Sequence, residues 1–295
     1  MLRRFTSERI RRAHHKRLAL AVGVWVGLVV AVALLVLALF ASKQIAIQTV
    51  SFQGNKAVSS RELFAVVAPH LEGAYAHLFS RRNIFAFPRR AIESDIIASS
   101  VRIESVAIER DGFSRLIITI VERDAVGLWC APPGVSAVSC YFIDATALAF
   151  APAPRMNGRS FVAYERALPL KPIGAQLELQ ERFDELNEFI GFIAPLGFNT
   201  RRVVWMDDAL EIVTTFATAM GDEDVRLRIP LTGPYEQAFT NLASIVRLQK
   251  DKKVGADEEP FIFANLEYVD LRFENKIFYK QKEVTETSSV GEEGE

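Results

Sequence analysis

Residues 18–40, LALAVGVWVGLVVAVALLVLALF, run for 23 positions without a charge. As a helix they extend about 35 Å, enough to cross the hydrocarbon core of a bilayer. Beyond this stretch the pattern becomes short and periodic. Apolar residues alternate at Ile45 and Ile47, slip phase, and resume at Val50 and Phe52, which predicts a strand over residues 45–52 ending in a Gly54-Asn55 turn. Ser59 and Glu62 have capping-box spacing, so a helix starts there with Leu63, Val67 and Leu71 on one face and Pro69 weakening its last turn. Residues 72–87 read as irregular. Pro88 opens a second helix with Ile92, Ile96 and Ile97 as its buried stripe. Val106 and Ile108 alternate in one strand and Leu116, Ile118 and Ile120 in the next, with Asp111-Gly112 as the turn. The order over residues 45–122 is β-α-α-β-β. It predicts a compact α+β module in which both helices cover one side of the sheet.

The second half is richer in strands, expected at 126–129, 141–143, 203–206, 210–216, 225–229 and 268–273. Two helical stripes interrupt them, Leu179, Phe183, Leu186, Ile190 and Ile193, then Tyr235, Phe239, Leu242 and Val246 starting from Pro234. Their aromatic residues read as core in preference to a binding face. Residues 152–172 form a Pro-containing loop, and 250–260 a charged, mobile connection. The tail, 281–295, is polar and acidic with no aromatic residue after Tyr279, and is expected to be disordered. No internal repeat is seen. The domain plan is therefore a basic arm (1–17), a transmembrane helix (18–40), the β-α-α-β-β module (45–122), a β-rich domain with two helices (123–280) and the tail.

Charge sets the orientation. The formal total of the 295-residue chain is −1, yet the first 17 residues hold seven bases against Glu8 alone. The remainder then carries 28 bases and 35 acids. That balance argues against nucleic acid as partner of the folded part. The basic cluster precedes the apolar run and only Lys43 closely follows it, so the positive-inside rule puts the N-terminus in the cytoplasm and the bulk outside. A cleaved signal peptide is the competing reading, but its apolar region is shorter and ends in small residues, whereas this run ends in Leu39 and Phe40. The two cysteines, Cys130 and Cys140, then lie in an oxidising compartment on neighbouring strands, where a disulfide can form; two free buried thiols are the alternative.

The sequence holds few residues arranged for catalysis or metal binding. The exported part has two histidines, His70 and His77, whose spacing is interrupted by Pro69 and Gly73, so loop or surface positions explain them better than metal binding. HExxH, GxSxG, GxxxxGK[ST] and CxxC motifs are absent from the sequence. Asp207-Asp208 could mimic a catalytic dyad, but two turn aspartates are the ordinary explanation. Arg81, Arg82, Arg89 and Arg90 bracket NIFAFP and read either as a solvated helix start or as a basic patch for lipid headgroups or an acidic partner. A protein-interaction module is the default, with no cofactor, metal or small-molecule substrate expected.

The order of parts resembles the bacterial division family FtsQ/DivIB: basic arm, one membrane helix, POTRA domain, β domain, variable tail. Local segments agree. VSFQGNKAV (50–58) resembles the first POTRA strand and turn, and residues 82–97 the loop into its second helix. SVAIERDGFSRLIITIVERDAVGLW (105–129) resembles the closing strands, a Val-Glu junction and the first strand of the β domain. YFIDATALAF (141–150) and YVDLRF (268–273) resemble its Asp-turn strand and its C-terminal strand. Residues 151–229 match in pattern only. Ala125, Ala147 and the segment Glu274-Asn275-Lys276 depart from the family's Pro or Gly.

The resemblance implies a non-catalytic scaffold of the divisome at the division septum. Its last strands would bind an FtsB-like (DivIC-like) partner together with an FtsL-like one. Carried over by position, Arg272 is the partner-binding arginine, Phe273 its aromatic neighbour, and Ile277, Phe278 and Tyr279 lie in the following edge strand. The rival readings are a membrane-anchored cell-wall enzyme and a POTRA-bearing transport component, the latter opposed by the lack of repeated lipid-facing strands.

Overall fold

A computed structural model of the chain describes residues 5–40, 43–75, 79–133, 140–154, 160–178, 182–218, 221–232, 235–251, 266–274 and 276–282. It is a mixed α+β protein with a long N-terminal helix and a β-rich body. Helix α1 (Phe5–Phe40) contains the one stretch among the described residues long and apolar enough to cross a membrane, Arg17–Val36. Leu20, Val24 and Trp25 are 69%, 70% and 68% exposed. A continuous apolar surface of this kind fits a helix whose solvent is lipid. The chain divides into two compact units, Met1–Glu122 and Arg123–Glu295.

In the first unit the strand expected over 45–52 is split. A single 3-10 turn covers Lys43–Ile45, Ala46 bridges to Asn83, and strand β1 is confined to Thr49–Gln53. The phase slip in the sequence marks the break. Helix α2 (Ser60–Val67) carries the full capping box: Ser59 Oγ accepts from Glu62 N–H at 3.2 Å, and Glu62 accepts from Ser59 N–H at 3.1 Å. Pro69 then tightens the chain into the 3-10 turn Ala68–Leu71. The segment expected to be irregular holds a small hairpin, β2 (Ala74–Tyr75) and β3 (Phe79–Ser80). Helix α3 (Arg89–Ser99) follows Pro88 and buries Ile92 and Ile96, whereas Ile97 is 43% exposed. Being one residue past Ile96, Ile97 is turned about 100° off the buried stripe.

Strands β4 (Ile103–Asp111) and β5 (Arg115–Glu122) complete a sheet of order β1-β5-β4, with β1 parallel and β4 antiparallel to β5. The parallel pair forces a crossover, and α2 and α3 supply it. Their Leu63, Val67, Ile92 and Ile96 share one core with Ile108, Leu116, Ile118 and Ile120. At the end of β5, Glu122 accepts from the backbone N–H groups of Lys56, Ala57 and Val58 at 2.6–3.1 Å.

The second unit is built on one nine-stranded sheet. Its strands in chain order are β6 (Gly127–Cys130), β7 (Cys140–Ile143), β8 (Ala149–Ala153), β9 (Val162–Glu165), β10 (Phe198–Trp205), β11 (Ala209–Thr218), β12 (Gly221–Pro230), β13 (Leu266–Phe273) and β14 (Lys276–Gln281). Across the sheet they run β14-β13-β12-β11-β10-β9-β6-β7-β8. Two parallel neighbours adjacent in chain order, β9 with β10 and β12 with β13, each need a crossover. Helix α4 (Phe183–Ile193) makes the first and α5 (Tyr235–Asp251) the second. Both step toward the same edge from strands of the same direction, so a common right hand puts both helices on one face. There Phe183, Leu186, Phe189, Ile193, Ala238 and Leu242 join Val203, Ile212, Leu227 and Val269 in one core. Cys130 and Cys140, directly opposed in β6 and β7, are disulfide-bonded.

The loop expected over 152–172 is corrected at two points. Strand β8 runs to Ala153, with Pro152 accommodated because β8 is a terminal strand. Strand β9 lies inside the sheet between β6 and β10, with Tyr164 fully buried, its hydroxyl donating to Asn187 of α4 at 2.5 Å. Leu179, Pro234, most of the 250–260 connection and tail residues 283–295 lie outside the described residues; Gln281 itself ends β14.

Candidate functional site at the C-terminal sheet edge

Strand β14 is the outermost strand on one side of the large sheet and pairs with β13 alone among the described residues. Among the described residues no strand pairs with its outer side, the position at which strand addition takes place. Strand alternation divides the side chains that lie together in the sequence, and the register decides which of them is on the helix side. Tyr279 opposes Val269, a buried residue of the helix-facing core, while Phe278 opposes Asp270 on the other face. Ile277 is part-buried and packs against the core. Phe278 instead meets Phe273 edge-on with centroids 5.2 Å apart. Phe273, Phe278 and Tyr279 are 46%, 51% and 50% exposed, so the described edge keeps large apolar area in water on both faces.

Arg272 is not an open fork. Its Nε and Nη2 donate to the two carboxylate oxygens of Asp270 at 2.9 and 2.7 Å, and Nη1 bonds Asp208. Burial by itself raises the Asp270 carboxyl, but the bonds from Arg272 outweigh it and hold the group below the usual carboxylate range. Arg272 in turn holds its proton more tightly than a free guanidinium. The pair of aspartates noted in the sequence thus acquires a role: Asp208, in the β10–β11 turn, ties that turn to β13, while Asp207 stays exposed. The Arg272 guanidinium also lies 5.7 Å from the Phe273 ring centroid. Both of its ion pairs are within the chain, to buried Asp270 and to exposed Asp208.

Two residues without a distinguishing motif also hold this edge. Asn241 and Gln237 of α5 donate side-chain N–H groups to the carbonyls of Phe273 and Glu274 at 3.1 and 3.3 Å, and Gln237 donates to Asn241 at 3.1 Å. Their i, i+4 spacing is the only local signal. Electrostatically the edge is mixed: Lys280 pairs with Glu267 and Lys282 with Glu223, both at 2.7 Å. Lysines on an edge strand oppose pairing with an identical strand and favour an acidic one.

The other candidates belong to the first unit. His70 bonds Asp95 at 2.7 Å, and His77 lies outside the described residues. Arg89 pairs with Glu93, and the Arg81 guanidinium stacks over Tyr75 at 5.2 Å. Among the described residues, no group of three or more His, Cys, Asp or Glu is placed to hold a metal ion. No protein-family model matches the chain, and no curated protein matches it.

Proposed function

We propose that the chain is a non-catalytic, membrane-anchored scaffold of the FtsQ/DivIB type. In this reading its edge strand β14 captures an extended segment of an FtsB-like or DivIC-like partner, bound with an FtsL-like protein at the division septum. The observation that carries it is a terminal strand, with no strand on its outer side among the described residues, that with its neighbour β13 bears three half-exposed aromatic rings. Backbone pairing supplies affinity and the rings supply anchors, as in strand addition generally. The first unit supports the POTRA reading through its β-α-α-β-β order, sheet order β1-β5-β4 and single helical layer. The apolar helix Arg17–Val36 supports the anchor, and the basic residues before it support a cytoplasmic N-terminus.

The decisive pair of experiments is imaging and capture. A fluorescent fusion at the N-terminus of the full chain is expected to form a band at the division plane of dividing cells, and a uniform envelope signal would overturn the septal role. Phe273→Ala with Phe278→Ala is expected to weaken partner capture by about tenfold or more. Arg272→Glu would set a third carboxylate beside Asp270 and Asp208, so its effect reports on the fold as well as on binding. A folded Phe273→Ala, Phe278→Ala variant with full partner affinity would remove β14 as the site.

A further inference from the structure

Helices α4 and α5 leave a groove between them on the face of the large sheet, about 700 Å³ in volume. Its apolar part is made of rings: Phe189 packs against Tyr235 with centroids 6.1 Å apart, and Phe192 against Phe239 at 5.5 Å. Phe192 is 52% exposed although it belongs to a helix that otherwise turns its aromatic residues inward. Tyr235 is only 4% exposed, lines the groove, and has no hydrogen-bond partner for its hydroxyl among the described residues. A buried hydroxyl without a partner is an unmet demand that a ligand polar group can fill.

The rim is acidic. Glu185 is matched by Arg182, whose guanidinium also lies 5.1 Å from the Tyr235 ring centroid. Glu188 and Glu236 line the same groove and have no ion pair among the described residues. Two uncompensated carboxylates around an aromatic floor repel anionic lipid headgroups. They also repel the chain's own tail, which carries Glu283, Glu286, Glu292, Glu293 and Glu295. A second copy of the chain would bring the same carboxylates against themselves. Complementary charge leaves a basic occupant. An 11-residue α4 beside α5 offers a trough about three turns long, the form that receives an amphipathic helix.

We infer that the α4–α5 groove is a second docking site, built to take a partner helix that carries lysine or arginine beside an apolar anchor. The anchor rests on Phe192 and Phe239, the basic groups face Glu188 and Glu236, and a polar group of the partner reaches the Tyr235 hydroxyl. The inference does not depend on the β14 reading.

The test uses the full chain in phosphatidylcholine nanodiscs and a labelled synthetic amphipathic helix of leucine and lysine, with a leucine–glutamate twin as control. Binding is followed by fluorescence anisotropy after subtraction of the signal from empty nanodiscs. The lysine peptide is expected to bind and its twin not to. Glu188→Gln with Glu236→Gln, surface changes that spare the core, is expected to weaken binding about tenfold, and Phe192→Ser by a similar factor. Equal binding of the two peptides, or affinity unchanged in both variants, would overturn the site. So would concentration-dependent self-association abolished by Phe192→Ser, which would make a second copy the occupant.

Discussion

Glu122 shows how one side chain closes a domain. It ends β5, yet its carboxylate gathers the N–H groups of Lys56, Ala57 and Val58 from the turn between β1 and α2. Burial raises this carboxyl, but the three backbone donors, with the charge of Arg102, outweigh it and hold it below its ordinary value of 4.5. Because the folded value is the lower one, the contribution is complete above the unfolded value and is lost as pH falls through the folded one. The first unit is therefore expected to lose stability below about pH 4.5, and Glu122→Gln to remove that acid dependence while destabilising the unit by about 2 kcal/mol near neutrality. Urea titrations across pH measure both. Gly54, in the same turn, has φ +78, and a Cβ there would lie 2.3 Å from the Ile120 carbonyl oxygen. Gly54→Ala is expected to lower stability by at least about 2 kcal/mol, since backbone must move; an unchanged thermal transition would contradict this.

Among elements, the β13–β14 hairpin is held from behind. Asn241 and Gln237 of α5 bond the carbonyls at its turn, where the segment Glu274-Asn275-Lys276 has no glycine to relax the backbone. Gln237→Ala with Asn241→Ala is expected to raise hydrogen exchange in β14 and to weaken partner capture several-fold, with the core transition changed little. Protected exchange in β14 in that variant would show that the hairpin holds itself. On the other side of the sheet, the Cys130–Cys140 bond cross-links β6 and β7 over a sequence separation of 10. Removing it by a double Cys→Ser change is expected to cost about 3 kcal/mol in the chain-entropy treatment, visible as a lower urea midpoint for the second unit.

At the scale of the molecule, the two sheets use the same device at different sizes. The parallel pairs β1–β5, β9–β10 and β12–β13 are each joined through helices, and these helices fall on one face of each sheet. In the second unit this leaves β14 as an edge. For the whole chain, the excess of bases before residue 18 is expected to fix the topology. Replacing Arg9, Arg11, Arg12 and Arg17 by glutamine is expected to increase the fraction with the body retained in the cytoplasm, read by protease protection in intact spheroplasts.

Where a structure is decided by neighbours along the chain, the sequence carried it. The long apolar helix, the Ser59–Glu62 cap, the Ile92–Ile96 stripe, and the alternation of Leu116, Ile118 and Ile120 all follow from local pattern, and each lies where that pattern puts it. The YVDLRF segment is likewise a strand, within Leu266–Phe273. What depended on distant partners was hidden. Strand β9 has four residues and is defined by β6 and β10 on either side of it. One of the two ion pairs of Arg272 needs Asp208, 64 residues away, and the clamp on the hairpin needs α5. Phe278 and Tyr279, as successive residues of a strand, must fall on opposite faces, but which of them lies on the helix side follows from the register against β13, and the groove beside Tyr235 from two crossovers meeting on one face. Local pattern fixes which residues are apolar on one side of an element; only the pairing of elements far apart in sequence decides which of those sides is covered and which is left for a partner.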